Sequence, residues 1–254
     1  MKRVLTALVM VPVVVYVVLW ANYWVFLAVL FTAAFFCYSE YDAIVTAYGF
    51  GAPGLIGAAA GYFLFAWRAD AWLYLVLLAI FTLALVMRSE DLAKALPRAG
   101  LLLAGVLYVF GCWKCAILLR AINPHWLMYT LIVNWAGDIG AYYVGRRFGR
   151  HKLAPRVSPN KSWEGTVASV AASVLVSGAY LVYFIPDFGI ARSLGLSIVA
   201  NVAGQFGDLA ESTMKRGVRM KDSGTILPGH GGFLDRVDST LFTLPVVYAW
   251  LSWM

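Results

Sequence analysis

Apolar residues fill this chain in long runs, at about 4–20, 23–39, 53–67, 71–87, 100–119, 126–144, 164–185, 192–210 and 239–254. No other feature limits the fold as much. In lipid every backbone N–H and C=O must find a partner inside the protein, so only helices and closed barrels cross a membrane. The runs do not alternate with period two, which selects helices over strands. Charged residues make up 13% of the chain and hydrophobic ones 62%, with a mean hydropathy of +0.77. A soluble domain carries about 25% charged residues. The expected fold is therefore all-α, a polytopic transmembrane bundle of about nine helices. The gaps between runs leave no room for a soluble domain of useful size.

Two runs stand apart. The one at 53–67 is short and rich in Gly and Ala, and the one at 192–210 is only moderately apolar. The latter ends in Gly207-Asp-Leu-Ala-Glu211 and is expected to dip into a polar site. The opening Met1-Lys-Arg, followed by Val4–Trp20, has the charge and apolarity of a signal peptide. It lacks the small-residue cleavage pattern, so it reads as a retained first membrane helix.

The cations fix an orientation. With the gaps assigned alternately to the two sides, 16 of the 20 Lys and Arg fall on one side. Three (Arg68, Arg120 and Arg192) fall on the other, and Lys114 lies within a run. The positive-inside rule places the rich side, and with it the N-terminus, in the cytoplasm. The C-terminus is then expected outside. A net charge of +7 raises the question of nucleic acid. The cations cluster between apolar runs, which argues for orientation and for lipid headgroups or phosphates as partners, not nucleic acid. Three cysteines cannot form a complete set of intrachain disulfides. Cys112-Trp-Lys-Cys115 has redox or zinc-ligand spacing, but it lies in an apolar run without a partner pair and reads as passive.

Four polar groups interrupt the apolar background. Asn134-Trp-Ala-Gly-Asp138 places a carboxylate near the end of the sixth run. An unpaired carboxylate in a membrane helix is costly, so Asp138 is either functional or paired with Arg146 or Arg147 at headgroup level. Ser158-Pro-Asn-Lys-Ser162 precedes an apolar helix. Helix N-termini suit anionic phosphates, with Lys161 adding charge and Ser162 a donor. An ordinary capped loop is the other reading of the same residues. Asp208, Glu211 and Lys215 share one face of a continuing helix, either as site residues or as local ion pairs. Last, Ser212–Asp238 packs Lys215, Arg216, Arg219, Lys221 and Arg236 beside Asp222, Asp235 and Asp238, with Pro228-Gly-His-Gly-Gly232 between them. Asp235 and Asp238 are three apart and can share a divalent ion such as Mg²⁺. His230 stands alone among glycines as a base, a phosphate donor or a turn residue. This chemistry suits metal-assisted transfer of a phosphoryl or nucleotidyl group.

The run Ser212-x-Met-Lys-Arg-x₄-Lys-Asp-x-Gly-x₂-Leu-Pro-x-His-Gly-Gly-Phe-x-Asp-Arg-Val-Asp238 resembles the signature of the CDP-diacylglycerol synthases, or phosphatidate cytidylyltransferases. Asp138 with Ala141-Tyr142, Ser158–Gly165 and Gly207–Ser212 also resemble that family's C-terminal half. The resemblance covers about 134–239 and is only hydropathic over 1–133. Two regions follow, 1–125 without a motif and 126–254 as the catalytic region. The resemblance implies that CTP and phosphatidic acid give CDP-diacylglycerol and pyrophosphate. It implies Mg²⁺, alone or with a second cation, on Asp208, Asp235 and Asp238, with Asp138 at or beside them. It further implies Lys161, Lys215, Arg216 and Lys221 as phosphate contacts. Ser158, Ser162, Asp222, His230 and Arg236 are implied around the substrate. A homodimer in the cell membrane, with the site facing the cytoplasm, completes the expectation. A transferase for another lipid acceptor, a CTP-dependent lipid kinase and a transporter are the competing readings.

Overall fold

The computed structural model describes residues 2–51, 54–68, 71–87, 89, 91–226 and 231–253. The apolar runs fold as helices. The first four are α1 (Lys2–Leu19), α2 (Tyr23–Ala47), α3 (Gly54–Ala66) and α4 (Ala71–Val86). The fifth run forms one rod made of α5 (Ala95–Gly105), a π-helical segment (Val106–Gly111) and α6 (Cys112–Ile122). Then follow α7 (Pro124–Phe148), α8 (Trp163–Phe184), α9 (Ile190–Gly217) and α10 (Leu234–Ser252). Between α7 and α8 lies an antiparallel hairpin of β1 (Lys152–Ala154) and β2 (Ser158–Ser162), which pairs Lys152 with Ser162 and Ala154 with Ser158. The hairpin is a small exception to the expected all-α fold.

Among the described residues, three helical stretches are long and apolar enough to cross a membrane: Tyr23–Ala47, Leu92–Ile122 and Trp163–Phe184. Helices α7 and α9 are long too, but their polar residues lower their hydropathy. Those residues turn inward to neighbouring helices. Asn201 Nδ2 donates to Ser169 Oγ at 3.0 Å and to Ser173 Oγ at 2.7 Å, and Gln205 Nε2 donates to Asn201 Oδ1 at 2.6 Å. On the other side of α9, Thr243 Oγ1 donates to Asn134 Oδ1 at 3.1 Å. The interhelical bonds among these, from Asn201 to α8 and from Thr243 to α7, contribute roughly 0.6 kcal/mol each within membranes. A polar face turned inward explains how helices of modest hydropathy join an apolar bundle.

Small residues bring these helices close, as membrane helix packing favours. A Cβ on Gly165 would stand 3.3 Å from Gly145 Cα, so α7 and α8 nearly touch there. A Cβ on Gly207 would stand 2.6 Å from the carbonyl oxygen of Asp238, which joins α9 to α10. Helix α10 also packs on α2 and α6, so the motif-free region touches the motif-bearing one. Two cations in that first region serve as helix caps. Lys114 Nζ donates to Phe65 O at 2.7 Å at the end of α3, and Arg120 Nε donates to Val18 O at 2.9 Å at the end of α1. Positive charge at a helix C-terminus satisfies free carbonyls and the dipole. Cys37, Cys112 and Cys115 are free thiols.

Candidate active site

A cleft of about 670 Å³ opens where α7, α8, α9 and the hairpin meet. Asp138, Tyr142 and Arg146 line it from α7, Lys152, Lys161 and Ser162 from the hairpin, and Gln205 and Asp208 from α9. The hairpin hangs over the α8 N-terminus. There Ser162 is the N-cap, its Oγ accepting from Gly165 N at 3.2 Å. Its flank is held by His151, whose Nδ1 lies 2.6 Å from Glu164 Oε1. The cap reading of Ser162 and its position on the cleft wall therefore hold together.

Lys161 and Asp208 face each other across this cleft at 2.5 Å. Asp138 also opens into it. Asp238 sits on the neighbouring α10, buried at 8% exposure. The negative charges of Asp138, Asp208 and Asp238 act on one another, while Lys161 and Arg236 offset part of that charge at Asp138. Three expected carboxylates thus share one electrostatic environment.

Asp235 lies elsewhere. One of its oxygens pairs with Lys215 Nζ, and the carboxylate accepts from Ser223 N at 3.0 Å and Gly232 N at 2.8 Å. Lys215 is itself buried, with Glu211 Oε2 at 2.5 Å on its other side. That second contact is a close approach without an aligned hydrogen bond to either Glu211 oxygen. These three groups stand beyond the apolar runs 192–210 and 239–254. Burial disfavours the charge of Lys215, yet Asp235 and Glu211 hold its pKa above the ordinary value. Burial likewise opposes the charge of Asp235, and Lys215 with the Gly232 amide holds its carboxyl below the usual range. Burial pushes Glu211 up to about 8, against the pull of Lys215.

The other expected residues are more exposed. Arg216 is tied to backbone, with Nη1 donating to Met220 O at 2.6 Å and Nε to Val157 O at 3.3 Å, which links α9 to the hairpin tip. Lys221 and Asp222 are exposed, and Asp222 Oδ1 would lie 3.2 Å from a Cβ on Gly231, whose φ is +81°. Ser158 is half-buried at the hairpin register point opposite Ala154, and Arg236 is exposed on the first turn of α10. His230 lies outside the described residues.

A family model for the cytidylyltransferase family matches residues 1–254. The chain belongs to that family. It is 42% identical to a phosphatidate cytidylyltransferase of Staphylococcus aureus (strain COL) over 128 residues, 50% of this chain and 49% of the relative. It is 34% identical to one of Bacillus subtilis (strain 168) over 181 residues, 69% of this chain and 67% of that relative. The chain spans about half the length of the staphylococcal relative it matches.

Membership gives the donor set a context. Among the described residues, no three or more His, Cys, Asp and Glu side chains converge to enclose a metal. A magnesium ion does not need such a cage. It typically takes one or two carboxylates and completes its shell with water and substrate phosphates. Asp138, Asp208 and Asp238 offer hard oxygen donors whose mutual repulsion a cation relieves, so the residues fit the ion.

Sequence reasoning missed one residue of this cytidylyltransferase region. Glu40, on α2, is 4% exposed and accepts from Ser223 Oγ at 2.7 Å, Phe233 N at 2.9 Å and Leu234 N at 2.8 Å. The available clue was a carboxylate directly after the 23–39 run, which is costly there unless partnered.

Proposed function

We propose that this chain transfers the cytidylyl group of CTP to phosphatidic acid, giving CDP-diacylglycerol and pyrophosphate. The observation that carries the reading is a cationic, carboxylate-bearing cleft in a chain matched from end to end by the cytidylyltransferase family. In the reaction a phosphate oxygen of the lipid attacks the α-phosphorus of CTP. A new P–O bond forms, the α–β bond breaks, and its electrons leave with pyrophosphate. No covalent enzyme intermediate is required.

Lys161, Arg146 and Lys152 line the cleft, and their positive charges suit the triphosphate, stabilising charge that grows on the α-phosphoryl oxygens and the leaving group. Asp208 and Asp238 would hold Mg²⁺, with Asp138 beside them and the option of a second cation. Bound there, Mg²⁺ neutralises phosphate charge and orients the transferring group. We assign Lys215 and Asp235 to holding α9, Ser223, Gly232 and the start of α10 in register, because their charged atoms already meet each other. Lys221, Asp222 and His230 remain candidates for substrate contact.

We also read the apolar stretches of the nine described helical rods as membrane spans, with the N-terminus and the cleft on the cytoplasmic side of the cell membrane. The concentration of cations near the cleft supports this orientation. It would let the lipid arrive from the bilayer and CTP from the cytoplasm. A homodimer is part of the proposal by family resemblance. The test is purified full-length chain with CTP, Mg²⁺ and phosphatidic acid in mixed micelles. Pyrophosphate release with formation of CDP-diacylglycerol is expected. Absence of both, or preference for another lipid acceptor, would overturn the substrate assignment.

A further inference from the structure

Helix α10 begins without a side-chain cap of its own: Phe233 stands at the N-cap with helical dihedrals and makes no such bond. The first amides of a helix have no intrahelical partners, and an unmatched buried amide is costly. Here the partner comes from α2. Glu40 accepts from the amides of Phe233 and Leu234, at positions 193 and 194 residues away in sequence. A carboxylate at this end also complements the helix dipole.

The same carboxylate also holds Ser223. Ser223 Oγ donates to Glu40 Oε2, while Ser223 N donates to Asp235. Glu40 and Asp235 therefore clasp Ser223 between them and tie it to the start of α10. The fit admits little else. A Cβ on Gly224 would stand 2.5 Å from Glu40 Oε1, and one on Gly232 would stand 2.5 Å from Glu40 Oε2. Both glycines are places where the backbone passes directly over the carboxylate. Helix α10 carries Asp238 one turn beyond Leu234, on the face that meets Gly207 and the Asp208 region of α9.

We infer that Glu40 is a positioning residue: from the motif-free N-terminal region it fixes the start of α10 and thereby the placement of Asp238 against Asp208. It does not line the cleft and touches no reacting atom. Its influence passes through the α10 backbone. The N-terminal helices are then part of what shapes the active site, not only a membrane anchor. This rests on the cytidylyltransfer reading for its kinetic consequences, while its structural core does not.

The test uses the full-length chain in detergent. Mg²⁺ is titrated while the thermal unfolding midpoint is followed, and separately while pyrophosphate release is measured. Glu40→Gln keeps the size but replaces one acceptor oxygen by a donor facing backbone N–H groups. About tenfold more Mg²⁺ is expected for half of the thermal shift, the size of effect seen when groups behind a metal ligand are changed. A fall in kcat with KM for CTP within about twofold is expected in the activity assay, and Glu40→Asp should recover part of the loss. A lowered unfolding temperature with a parental Mg²⁺ midpoint and parental kcat would overturn the inference, because a purely structural role predicts that result. If the Gln variant does not fold, Glu40→Asp and Ser223→Ala are read by the same midpoint: a raised value supports the inference, and parental values in both overturn it. A parent chain that releases no pyrophosphate removes the cytidylyltransfer reading. The thermal titration then still decides the role of Glu40.

Discussion

Lys161 on the hairpin and Asp208 on α9 form an ion pair of 2.5 Å across the mouth of the cleft. The pair is partly exposed, so its Coulomb energy alone contributes little to stability. Its value lies in where it sits. Lys161 holds the hairpin toward α9, and under the proposed function an entering triphosphate would take over the lysine while a cation would take over the aspartate. Lys161→Ala should therefore cost about 10²-fold in kcat/KM for CTP, in the range found for removing one electrostatic contact to the transition state. Thermal stability should change little. Steady-state kinetics decides this, and a loss below about twofold would remove Lys161 from the phosphate site.

Gly207 sets the spacing of α9 and α10. A methyl group there meets the Asp238 carbonyl at 2.6 Å and the Phe242 side chain at 3.0 Å, so the helices must part. Gly207→Ala is expected to cost about 1–3 kcal/mol, as overpacking does. It should also lower kcat by moving Asp238 away from Asp208. Thermal unfolding in detergent and turnover at saturating CTP test the two effects separately. A stable variant with parental kcat would show that the bundle absorbs the methyl without shifting α10.

The sequence made the helices readable because lipid imposes one rule along the whole chain. The run at 126–144 became Pro124–Phe148 once the Asn123 cap and the Pro124 start were added. The run at 192–210 was expected to dip into a polar site on a helix that continues past it, and α9 does run unbroken to Gly217. Its polar residues, Asn201, Gln205 and Asp208, point into the bundle, where partners satisfy them. The hairpin was not readable. Its strands are three and five residues long, too short for periodicity to show, and tertiary bonds such as Arg216 to Val157 O hold its tip. Lys215 and Glu40 show the other limit. A lysine within a signature reads as a phosphate contact, and only the fold reveals two carboxylates already around it. Glu40 acts across more than 180 residues of sequence, where no spacing rule reaches.

Asp238→Asn should abolish turnover and leave membrane insertion intact. Removing Mg²⁺ with a chelator should do the same to the parent, and added Mg²⁺ should restore it. Asp208→Asn is expected to behave like Asp238→Asn, because both carboxylates belong to the proposed ion site. Pyrophosphate release against Mg²⁺ concentration is the measurement. Near-parental activity in either variant would take that residue out of the metal set.

Asp235 and Lys215 give a prediction with a defined pH window. The Asp235 carboxyl lies below its ordinary 3.8 in the folded chain, so its contribution is complete above that value and disappears as pH falls through the lowered one. The Lys215 ammonium lies above its ordinary 10.5, so its part is complete below 10.5 and is lost only as pH rises past the raised value. Between those limits Asp235 and Lys215 both keep their charge, and among the described residues the one group in contact with them that titrates there is Glu211, pushed up to about 8. Asp235→Asn should then destabilise the protein by about 3 kcal/mol at pH 7, the low end for breaking a buried pair, because Glu211 still faces Lys215. The gap between variant and parent should narrow as the pH drops below 3.8, where the parent also loses the charge. Thermal unfolding across the pH range measures that gap directly. A gap that stays constant into acid would mean that the Asp235 charge does not hold Ser223 and Gly232 in place.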